Sequence, residues 1–137
     1  MSDDLWGDLP KADDIVHPKT ILAEQANILA QRTSGLLQGH MAAEKTAISG
    51  YDTLLHFMIV CPTLQNYSYG VLSVYYKRTR VYPCDVRGEG GKSTVNDDKE
   101  FKIIVGNVLQ SETVKKALAA LLREAQDESK LVGNRQS

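Results

Sequence analysis

The sequence predicts an α+β fold: an N-terminal helix, a four-stranded antiparallel meander, and two C-terminal helices packed on one face of the sheet. Three observations predict it. Apolar residues recur at helical spacing from about residue 18 to 34. Between about 36 and 86 they give way to aromatic and β-branched runs separated by turn residues. Helical spacing then returns from Phe101 onward. At 137 residues, with 42% hydrophobic and 24% charged side chains, the chain fits one domain that folds without metal or disulfide.

Residues 1–17 read as an acidic N-terminal arm. Asp3, Asp4, Asp8, Asp13 and Asp14 stand against one base, Lys11, and Leu5, Trp6, Leu9 and Pro10 follow no period. Pro18 suits the first turn of a helix, where its missing N–H needs no partner. Ile21, Leu22, Ala26, Ile28 and Leu29 supply the stripe, and Thr33–Gly35 the stop. Leu22, Leu29 and Leu36 fall seven apart, a spacing that fits core packing or a dimer seam.

Leu36–Lys45 reads as a weak strand. Asp52–Cys61, apolar on both faces, reads as a covered central strand ended by Pro62. Tyr67–Lys77 carries the residues that strands prefer. After a turn at Lys77–Arg80, Val81–Val86 returns as an edge strand, because Pro83 cannot donate to a ladder. Arg87–Asp98 reads as a polar, glycine-rich loop. Asn96, Asp97 or Asp98 can cap a helix carrying Phe101, Ile104, Val105, Val108 and Leu109. Ser111 can cap another whose stripe runs from Val114 to Ala125. Residues 18–126 then form the domain, and 127–137 a polar flexible tail.

Net charge is −1, which argues against a strongly basic nucleic-acid binder and gives no electrostatic case for a membrane. No stretch approaches the ~18 apolar residues of a membrane span. The acidic N-terminus carries no secretory pattern, so a cytoplasmic setting with Cys61 and Cys84 as free buried thiols is expected.

Catalytic, metal and cofactor patterns are weak or missing, so none is expected. Gly90–Thr94 hints at a phosphate loop, but Val86 stands where the first glycine belongs, and Thr94–Asp98 separates the Lys-Ser pair from the next helix. Asp85 with Asp97-Asp98-Lys99 loosely echoes a metal-dependent nuclease, yet acids before a helix are explained by capping. His17, His40 and His56 form no metal-ligand spacing.

Two segments point to binding instead. All six tyrosines lie between Tyr51 and Tyr82, and Tyr75, Tyr76, Arg78, Arg80 and Tyr82 alternate aromatic and basic character around one hairpin. Such residues dominate protein interfaces. They can also stack bases and neutralise phosphates. Trp6, set among acids, is either a strap onto its own domain or a docking motif. The expected function is a small non-catalytic protein-binding module, an accessory, inhibitor, immunity or regulatory partner, with those six residues as contacts. A protein partner or a homodimer follows, the acidic arm covering the basic hairpin of its own chain or a neighbour's. The alternatives are nucleic-acid binding through the same hairpin, and an enzyme assembled around the Gly-rich loop with Lys92 or Asp85 at work.

Overall fold

The computed structural model describes residues 3–135, with side chains placed as far as Leu131. Helix α1 spans Pro18–Arg32. Strands β1 (Gln38–Lys45), β2 (Thr53–Cys61), β3 (Tyr67–Lys77), β4 (Arg80–Gly88) and β5 (Gly91–Val95) follow. Helices α2 (Asp98–Leu109) and α3 (Glu112–Arg135) close the chain. The sheet is an antiparallel meander in the order β1-β2-β3-β4-β5.

The fifth strand corrects the sequence reading. Gly91–Val95 pairs with β4 through Cys84↔Val95, Val86↔Ser93 and Gly88↔Gly91. The expected glycine-rich loop is therefore a tight hairpin, with Gly91 at φ 122°, a conformation that side chains disfavour. β4 consequently lies inside the sheet rather than at its edge. Pro83 is tolerated there because the β3–β4 register shifts between Tyr75 and Lys77, and β5 ends opposite Cys84. No ladder bond is demanded of its missing N–H.

Strand alternation divides the sheet into two faces. Leu55, Phe57, Ile59, Val74, Tyr76, Val86 and Val95 point to one face and join a single core with Ile21 and Leu22 of α1, Phe101 and Val105 of α2, and Val114, Leu121 and Ala125 of α3. Leu29 and Leu36 pack against that core, and Leu22 lies within it. Leu54, His56, Ser73, Tyr75, Asp85 and Arg87 face the opposite way, and none of them belongs to that core.

Helix ends are set by side chains. His17 Nδ1 accepts the Lys19 amide (3.0 Å) at the start of α1. Burial, together with Lys19 and Arg78, lowers the His17 pKa and keeps the ring neutral enough to accept that bond. Asp97 Oδ1 accepts from the Glu100 amide (2.8 Å), while Glu100 Oε2 accepts from the Asn96 amide (2.7 Å). Ser111 Oγ accepts from the Val114 amide (3.4 Å). α3 runs on to Arg135, well past the Ala125 end of its apolar stripe.

α1 sits hard against the sheet edge. A Cβ on Gly39 would lie 2.5 Å from Ala26 Cβ and 2.9 Å from its Cα, so only glycine permits this approach of β1 to the helix.

Candidate functional site

A concave feature lies on the helical side. α1 packs mainly on β1 and meets α2 only sparingly. The gap between the helices is a groove of about 720 Å³, within the ~300–1,000 Å³ range of ligand sites. Leu37, Phe57 and Ile59 form its floor. Ile28 and Leu29 of α1, Leu109 of α2, and Leu118 and Leu122 of α3 form its walls. Ile28 stays 43% exposed despite its position on that wall. The charged residues lining the groove are Arg32, Lys102 and Lys115, one from each helix. No carboxylate lines it among the described residues, in a chain whose net charge is −1.

The tyrosine-basic hairpin distributes its residues unevenly. Tyr76 is 1% exposed and lies in the core, its ring edge-on to His17 with centroids 5.1 Å apart. Tyr75 is 9% exposed on the other face, covered by the Arg87 guanidinium 4.2 Å from its ring centroid. Neither ring is free to enter a partner. Strand alternation put one tyrosine on each face, and both faces proved covered at that point. Arg78 and Arg80 are exposed at the hairpin tip, where the Arg78 amide donates to Asp52 Oδ1 (3.1 Å). Tyr82 is half-buried. Its hydroxyl donates to the Val16 carbonyl (2.7 Å), and burial, with Cys84 and Asp98 nearby, raises its pKa so that it stays a donor.

That bond ties the root of the arm to the hairpin. Beyond it the arm is uncovered: Leu5 is 91%, Trp6 80% and Leu9 67% exposed. The Trp6 amide donates to Asp4 Oδ1 (3.0 Å), and the Lys11 amide to Asp14 Oδ2 (3.0 Å), so the bonds are local. Trp6 is not a strap onto its own domain. Among the described residues, no ion pair links the arm's acids to the hairpin's bases.

The open sheet face carries a polar cluster around Asp85 that includes Lys92. Asp85, 3% exposed, accepts on Oδ1 from Thr94 Oγ1 (2.8 Å) and Tyr51 Oη (3.0 Å). Lys92 Nζ lies 3.6 Å and Arg87 Nη2 4.0 Å from Oδ2. Burial pushes this carboxyl's pKa up, but the bonds from Thr94 and Tyr51 and the Lys92 ammonium outweigh burial and hold it below the usual range. Beside it, His56 Nδ1 lies 3.1 Å from Ser73 Oγ, and Nε2 3.2 Å from Glu44 Oε1. This order mimics a nucleophile–base–acid relay. The residues are neighbours on β1, β2 and β3 of an open sheet face, and neither cavity described here touches them. They read as a polar ladder across strands.

A smaller cavity of about 420 Å³ lies between the β4–β5 hairpin and the α2–α3 junction, lined by Gly88–Ser93, Asn107, Ser111 and Thr113. The Asp85 side chain that an enzyme reading needs turns to the opposite sheet face, where Lys92 meets it. Lys92 lines this cavity but Asp85 does not, so the two do not converge on it. Cys61 and Cys84 are free and buried. Burial, with Asp85 adjacent, pushes the Cys84 thiol up to about 12, so it is not a nucleophile at neutral pH. Among the described residues no His, Cys, Asp and Glu group has metal-binding geometry, and no helix is long and apolar enough to cross a membrane. No protein-family model, curated protein or solved structure matches this chain.

Proposed function

We propose that this protein is a non-catalytic protein-binding module whose groove between α1, α2 and α3 receives an apolar peptide segment flanked by acids. The observation that carries this reading is the groove's lining: an apolar floor and walls under cations from three separate helices, with no carboxylate among them. Laying an apolar segment into such a groove is a recurrent mode of peptide recognition. Cations spread over three elements suit a polypeptide with several carboxylates better than a ligand with one anionic head. The hairpin tip, with Arg78 and Arg80 exposed and Tyr82 at its base, is a second contact for the same partner. Nucleic-acid binding through this hairpin has less support, because Tyr75 and Tyr76 are not available to stack.

The test is mapping by NMR. A peptide with two apolar residues between aspartates is titrated into labelled protein beside its lysine-flanked counterpart. Ile28, Leu118 and Leu122 signals should shift with the acidic peptide and stay still with the basic one. If the acidic peptide moves no groove signal, the reading is wrong.

A further inference from the structure

We infer that the groove's occupant is the N-terminal arm of a second copy of this chain, so that two copies exchange arms. The inference rests on the groove reading above and names its partner. The arm has the composition that the groove calls for: Leu5, Trp6 and Leu9 are its most exposed apolar side chains, and Asp3, Asp4 and Asp8 surround them. The groove offers the complement, with Phe57 and Leu118 beneath Arg32, Lys102 and Lys115. Within one chain the two surfaces stay apart. The arm's root is fixed on β4 by the Tyr82–Val16 bond, its further bonds are local, and no arm residue lines the groove.

Reach is no obstacle. At ~3.3 Å per residue, the arm from Trp6 to the anchored Val16 extends at most about 33 Å, enough to cross to a neighbouring molecule. Reciprocal exchange is a closed two-fold arrangement, in which each copy gives one arm and fills one groove. It removes from water in one step the apolar side chains that a lone copy leaves exposed on both surfaces.

Trp6 is the sole tryptophan, so its fluorescence reports the arm alone. The experiment is sedimentation of the full chain over a wide concentration range, with Trp6 emission read alongside. The expected result is a concentration-dependent dimer whose formation shifts Trp6 emission to the blue. Trp6→Ala/Leu9→Ala should abolish the dimer, as should Arg32→Glu/Lys102→Glu. Mixing the two double variants should restore a heterodimer, because one supplies an intact groove and the other an intact arm. A monomer at every concentration with Trp6 exposed would overturn the inference. So would Trp6 buried at monomer mass, which puts the arm in its own groove, or a dimer that persists without Trp6 and Leu9. The acid-flanked peptide is then titrated into Trp6→Ala/Leu9→Ala. Binding there leaves the groove reading standing when arm exchange fails, and absence of binding removes both.

Discussion

Asp85 is the residue whose chemistry is most tightly fixed. A carboxylate that is 3% exposed on the uncovered face of a sheet is held there by two hydroxyl donors and two cations. Asp85→Asn keeps the shape, but with its oxygen left on Thr94 and Tyr51 it turns an amide NH2 toward Lys92 and Arg87 and removes the charge that pairs with them, so it should cost roughly 2–4 kcal/mol at neutral pH. The pH dependence follows from the lowered pKa. The stability this group contributes is present above its unfolded value, about 3.9, and is lost as pH falls through the lower folded value. Denaturant melts of Asp85→Asn should therefore show a flatter acid limb than wild type, and an unchanged limb would contradict the assignment. Asp85 and Lys92 stood out singly in the sequence, but the cluster did not, since strand register is what brings Asp85, Thr94 and Lys92 together. The sequence did mark Tyr75 and Tyr76 as unusual. What it could not convey is that one lies under Arg87 and the other in the core, because adjacent strand residues face opposite ways and covering is decided by other elements.

At the scale of elements, α1 and its contact with β1 set one wall of the groove. Gly39 permits that contact, so Gly39→Val should push α1 away from the sheet and destabilise the fold by about 1–3 kcal/mol. A thermal melt showing Gly39→Val equal to wild type would mean that the helix is not seated so closely. The three helices and β2, β3 and β4 were legible from periodicity, because each buries side chains in the shared core, whereas β1 buries none of its own there and reads only as a weak strand. β5 was not. Gly91–Val95 is short and polar apart from Val95, and its place in the sheet depends on pairing with β4. Pro83 misled for a related reason: in sequence it signals an edge, but here it occupies a register shift inside the sheet.

At the scale of the whole molecule, all three helices lie on one face of the sheet without closing over it completely. Their stripes, readable one by one, do not disclose that gap, because its lining comes from residues as far apart as Ile21 and Leu122. The arm's composition was legible and the groove's was not, and the proposed exchange of arms rests on their complementarity. The most direct measurement is fluorescence anisotropy of a labelled acid-flanked apolar peptide against Trp6→Ala/Leu9→Ala, with and without Lys102→Glu/Lys115→Glu. Both lysines are exposed, so circular dichroism should show the fold intact. The charge reversal should weaken binding tenfold or more, about 1.4 kcal/mol or above, and added salt should weaken the unreversed protein's binding. Equal affinity for the two proteins would contradict the groove reading.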